Sequence, residues 1–219
     1  MKNSDKLKRY SMFIAGVIFS ALGISLITKA GLGTSPITSL AFVLTFIFPH
    51  SLGEFTMLVN TVMFLIQAAL LGKAFGKVQL LQLPAALLFS ACIDGWMYIL
   101  GFWKTGSYVG QVLMLLLGCV FLGLGIAFEV IPNVLILPGE GLVRVIAGLT
   151  GWRFGLVKTG FDMSIVASAV GVSLFFTGHV LGIREGTVLA ALIVGSISHF
   201  FIEKVSNVLE GWIPDYSDA

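Results

Sequence analysis

Six apolar runs constrain this chain more than any other feature: roughly 11–29, 54–72, 79–101, 111–130, 158–178 and 187–204. Each is close to the length, about 20 residues, that a helix needs to cross a bilayer. Two shorter apolar stretches, 34–48 and 137–151, lie between the first and second runs and between the fourth and fifth. Only 11% of the 219 residues are charged, against about 25% in a soluble domain. The sequence therefore predicts an all-α polytopic membrane protein, one membrane domain over 1–219, with the lipid bilayer as its surroundings. The formal charge of +2 carries no nucleic-acid signal, because the basic residues sit in loops or at the ends of apolar runs.

The two short stretches open on helix-breaking sequence. The first begins Gly31-Leu32-Gly33-Thr34-Ser35-Pro36, which places Thr34 or Ser35 at an N-cap and Pro36 at the first helical position. Roughly 13 residues then remain before Pro49, too few for a span of about 20. The second runs Ile131-Pro132-Asn133 to Pro138-Gly139-Glu140-Gly141-Leu142. Paired short, interrupted segments in corresponding places are the sequence pointer to a transporter's binding site.

Charge orients the chain. The cluster Lys2, Lys6, Lys8 and Arg9 ahead of the first run places the N-terminus in the cytoplasm, with that run retained as a span. With six spans, these four join Lys73, Lys77, Arg144, Arg153, Lys158 and Lys204 inside, leaving Lys29, Lys104 and Arg184 outside. Eight spans would move Lys73 and Lys77 outside and bury Arg144, so six spans and two re-entrant half-helices are expected. Both termini are then cytoplasmic, and 206–219 forms a short polar tail.

An internal repeat links the halves, roughly 11–101 and 111–205. Gly16 to Ile24 aligns with Gly118 to Ile126 at a shift of 102, which also carries Pro36 to Pro138. Leu58-Val59-Asn60-Thr61 meets Leu156-Val157-Lys158-Thr159 at 98, and Ala85-Ala86-Leu87 meets Ala190-Ala191-Leu192 at 105. Three spans per half is an odd number, so the sequence predicts two inverted three-helix repeats.

Candidate substrate-binding residues follow from the breaks and the charges. Thr34 and Ser35 stand at one helix start, Gly139 and Glu140 at the other, and unpaired N–H groups at such starts attract anions. Ordinary caps would look the same. Lys158 and Asp162 are four residues apart on one helical face, placed for an ion pair, and the repeat sets Asn60 opposite Lys158. Charges at the bilayer centre cost at least about 2.5–3.5 kcal/mol, so Asp94 and His199, which the repeat aligns, are candidates for proton coupling. Glu129 closes the fourth run and is a functional candidate on the same ground, unless it lies at the cytoplasmic boundary. Cys92 and Cys119 lie inside runs and read as packing thiols. No CxxC or HExxH pattern and no nucleophile–base spacing is present, so neither a metal, a cofactor nor an enzyme is expected.

The ordered set of the opening glycines, Ala30 to Pro36, Pro138 to Leu142, the Lys158 and Asp162 pair, and Gly186-Thr187 resembles the YczE/YyaS/YitT group of bacterial membrane proteins. The resemblance covers about 10–205 and implies a bacterial inner-membrane protein; it supplies no substrate and no site residues. From the residues themselves, the expected function is transport of a small polar or anionic solute. The rival is an accessory or substrate-binding subunit of a larger transport complex. A homo-oligomer or a partner subunit is compatible with either.

Overall fold

The computed structural model describes residues 3–103 and 106–209. Among them eight α-helices follow one another: α1 (Asn3–Lys29), α2 (Ser39–Ile47), α3 (Leu52–Leu71), α4 (Gln82–Ile99), α5 (Tyr108–Val130), α6 (Pro138–Thr150), α7 (Phe154–Thr177) and α8 (Glu185–Leu209). Six are long and apolar enough to cross a membrane: α1, α3, α4, α5, α7 and α8. The chain is an all-α polytopic membrane protein. The other two, α6 with 13 residues and α2 with 9 behind a short 3-10 turn at Pro36–Thr38, are too short by the same measure.

Local chemistry sets the boundaries. After α1 the chain turns through Gly31 and Gly33, both at positive φ, so α2 cannot continue α1. Ser51 and Glu54 start α3 with reciprocal bonds: Glu54 N donates to Ser51 Oγ at 3.0 Å, and Ser51 N to Glu54 Oε2 at 2.9 Å. The second break turns at Asn133, the one non-glycine at positive φ among the described residues. It lies 102 positions after Gly31, the separation at which Gly16 to Ile24 aligns with Gly118 to Ile126. Helices also run past the apolar runs. α1 begins at Asn3 because its basic turns stay helical outside the apolar stretch. α8 continues to Leu209, into the stretch read as polar tail; residues 210–219 lie outside the described ones.

The centre of the protein is the crossing of α1 and α5, the most extensive helix contact. Glycines bring the two backbones together. A Cβ on Gly118 would stand 2.7 Å from the Ile27 side chain and 2.8 Å from Gly23 O, and one on Gly16 would stand 2.8 Å from Glu129 N. Val17, Ala21, Ile24, Leu115 and Cys119 fill the crossing. Around it, contacts pair up when the first four helices are exchanged for the last four. α1 packs on α4 as α5 on α8, α3 on α6 as α7 on α2, and α2 on α3 as α6 on α7. One pair departs from this: α3 lies along α4, whereas α7 and α8 scarcely touch.

Candidate functional site

The first break is closed on itself. Thr34 and Ser35 are buried, and their hydroxyls are taken up within the protein. Thr34 Oγ1 is 2.8 Å from Thr28 Oγ1 and 3.0 Å from Thr38 Oγ1, and Ser35 Oγ is 2.8 Å from Thr38 Oγ1. Ser35 occupies the N-cap position without a side-chain capping bond, because its hydroxyl turns inward to Thr38. The start of α8 is clamped onto this loop. Thr34 N donates to Thr187 Oγ1 at 3.1 Å, Gly186 N to Leu32 O at 2.8 Å, and Arg184 Nη1 to Gly31 O at 3.0 Å. Gly33 and Gly186 permit that approach, since a Cβ on either would run into the opposing segment.

The second break is open. The loop Asn133–Ile136 forms one wall of a cavity of about 450 Å³. The last turns of α3 supply Gln67, the approach to α4 supplies Gln79 and Gln82, and α6 supplies Gly141 and Arg144. Gly141 and Arg144 are three residues apart and so share one helical face. Gln67 is 2% exposed and Gln82 4% exposed, and the Oε1 atom of each lacks a hydrogen-bond partner. Both amides end beside Gly141, where a Cβ would be 2.7 Å from Gln67 Oε1 and 3.2 Å from Gln82 Nε2. Gln82 precedes Thr187 by 105 positions, the separation at which Ala85-Ala86-Leu87 matches Ala190-Ala191-Leu192. Each polar residue faces a helix-breaking loop; one is bonded to it and the other is not.

The two breaks meet. Gly139, in the first turn of α6, lies against Ile37 of the 3-10 turn and near Met63 of α3. Glu140, half-buried beside it, is within electrostatic reach of Glu129. Glu129, at the C-terminal end of α5, is buried against α1 and accepts a 2.6 Å bond from Ser20 Oγ.

Between the breaks, α3 presents a buried stripe. Thr56, Asn60, Met63 and Gln67 recur at spacings of four, three and four, one face of a helix, and all four are buried. Asn60 Nδ2 donates to Thr56 O at 2.9 Å. The stripe ends in the glutamine cavity at the C-terminal end of α3. At the N-terminal end lies a second cavity, about 570 Å³, lined by His50, Ser51, Glu54, Asp94 and Tyr98 among others. There Asp94 accepts from Ser51 Oγ at 2.6 Å and from Gly53 N at 2.7 Å, binding the start of α3 to α4. His50 Nδ1 is 3.1 Å from Glu54 Oε2.

Lys158 Nζ and Asp162 Oδ1 form the expected ion pair at 2.7 Å, on α7, each side chain about a quarter exposed. α7 packs on α2 and α6, so the pair belongs to the helix that flanks both breaks. Asp94 and His199 have unlike surroundings: Asp94 is committed to the start of α3, while His199 is exposed on α8. Sequence reading passed over Gln67, Gln82 and Arg144 as a site. The signal was present as two amides within apolar runs, but only the fold brings them to the same glycine.

The chain is 28% identical over 202 residues to the uncharacterized membrane protein YczE of Bacillus subtilis (strain 168), covering 92% of this chain and 88% of that one. It is 27% identical over 203 residues to the uncharacterized protein YyaS of the same organism, covering 91% and 94%. No solved structure matches it. A family model, described as a family of unknown function (DUF6198), matches residues 7–203. With nearly the whole chain matched, this multi-pass membrane protein belongs to the DUF6198 family.

Proposed function

We propose that the protein carries a small polar or anionic solute across the cytoplasmic membrane along the inner face of α3. The observation that supports this most is the buried polar stripe of Thr56, Asn60 and Gln67, with a cavity at each end. From Ser51 to Gln67 the helix rises about 24 Å, most of the roughly 30 Å hydrocarbon core. Such a stripe facing lipid would be costly; Thr56 and Asn60 bond back to carbonyls of their own helix, whereas Gln67 Oε1 has no partner among the described residues, and a path would bring it water and solute. Ile37, Met63 and Gly139 narrow the path where the two short helices start.

The short helices read as re-entrant half-helices, tolerated at membrane depth because protein covers them. The exchange-related helix contacts, and the paired turns at Gly31 and Asn133, support an inverted repeat. On that reading the sealed first break and the open second one are the two forms of a single gate, and transport exchanges them. The distribution of basic residues supports a cytoplasmic side for the second break and both termini. Glu140 and the Lys158–Asp162 pair supply charge beside the breaks.

The test is uptake into proteoliposomes, against a metabolite panel, by the protein and its Asn60→Leu variant. Uptake lost in Asn60→Leu with folded protein retained is the expected result; undiminished uptake removes the path. The loosely covered α7 and α8 favour a second reading, an accessory subunit whose partner covers them. A stable co-purifying protein, with no uptake by the chain alone, selects that reading.

A further inference from the structure

We infer that the cavity at the second break is a binding site for a small carboxylate that also carries an amide, with the carboxylate on Arg144 and the amide on Gln67 and Gln82. The inference rests on the transport reading only for what the site serves, and its test separates the two.

Buried polar atoms are nearly always paired, and an amide carbonyl left alone in a protein interior is destabilising. Two such carbonyls belong to side chains 2% and 4% exposed, and both amides end beside one glycine at the wall of one cavity, Gln67 through its Oε1 and Gln82 through its Nε2. They come from different helices, α3 and the start of α4, so chance crowding within a single turn does not explain them. Gly141 is what leaves them room. A larger residue there would press on both amide ends and close the corner.

A ligand that completes this corner must offer N–H donors to the two carbonyls. A carboxamide suits it best, since it sets a donor and an acceptor side by side and complements a glutamine amide turned either way. One turn further along α6, Arg144 lines the same cavity and makes no ion pair among the described residues. Its guanidinium matches a carboxylate. A volume of about 450 Å³ holds a metabolite-sized solute.

The experiment is isothermal titration of the purified full-length protein in detergent with three compounds of nearly equal shape. Succinamate carries both groups, monomethyl succinate only the carboxylate, and succinamide only the amides. Succinamate should bind at least about tenfold more tightly than either, because a site built for a hydrogen bond rejects the analogue that lacks it. Gln67→Leu with Gln82→Leu should erase the preference over monomethyl succinate, and Arg144→Gln the preference over succinamide. Should the double variant fail to fold, Gly141→Ala, which touches only amide ends, should weaken succinamate by a similar factor. Equal binding of the three compounds, or no binding up to about 10 mM, overturns the inference. So does a succinamate preference that survives the glutamine changes. Selective binding with no uptake into proteoliposomes would support the site and sink the transport reading. Uptake of succinamate that ignores the glutamine variant would do the reverse.

Discussion

The two helix-breaking loops of this protein have the same plan and opposite states. Each follows a glycine-rich central helix, turns at a positive-φ residue, starts a short helix on a proline and faces the first residues of another long helix. At the first, Thr187 of that helix and Arg184 just before it hold the loop through its backbone. At the second, Gln82 stands off, Gln67 stands with it, and a cavity lies between. The lesson is that a polar residue beside a break has two uses. Bonded to the loop it closes the protein; left unbonded it waits for something else.

The sharpest way to break this comparison is at the glycines. Gly186→Leu should cost about 3 kcal/mol or more, because its Cβ meets Leu32 O, a backbone atom that cannot move aside. Gly141→Ala should cost about 1 kcal/mol or less, because only the flexible ends of two glutamines have to yield. Thermal denaturation in detergent measures both, and equal losses would mean the two breaks are equally packed. Next in size is Thr187→Val. It leaves the buried Thr34 N–H without its acceptor and should lower stability by about 1–3 kcal/mol, with Thr187→Ser restoring most of it. Gln67→Leu with Gln82→Leu should go the other way, unchanged or up to about 1 kcal/mol more stable, since it removes unpaired buried amides. A clear loss of stability there would make the glutamines structural. Smallest is Asp162→Asn. A partly exposed i,i+4 pair is worth about 0.3–0.5 kcal/mol, so stability should barely change. Any fall in uptake by that variant then reports on function.

Much of the architecture could be read from the sequence because membrane helices announce themselves by length and hydropathy. The six long and two short helices, the Pro36 and Pro138 starts and the Lys158–Asp162 pair are all local properties of the chain. The candidate site was legible only in part. Thr34 and Ser35 are where helix-start chemistry puts them, but whether their hydroxyls face a solute or one another depends on Thr28 and Thr38 beside them in space. Asp94 is a charge in an apolar run because it anchors the start of α3, a partner 41 residues away that no periodicity signals. Glu129 looked terminal because its run ends there, yet the α1–α5 crossing buries it against Ser20. Gln67 and Gln82 lie in different runs and acquire meaning only when both reach Gly141.

The measurement that tests the central claim most directly is thiol accessibility along α3. In a background lacking Cys92 and Cys119, single cysteines replace Thr56, Asn60, Gln67, Leu58 and Leu65 in turn, and a small anionic methanethiosulfonate is added to the membrane-embedded protein. Only a water-exposed thiol ionises and reacts readily. The account predicts modification at positions 56, 60 and 67, which line the path. It predicts none at positions 58 and 65, whose leucines are more than half exposed on the outer face. Inert cysteines at 56 and 60 beside a reactive one at 67 would contradict it, leaving a cavity that ends blindly and a stripe that is only packing.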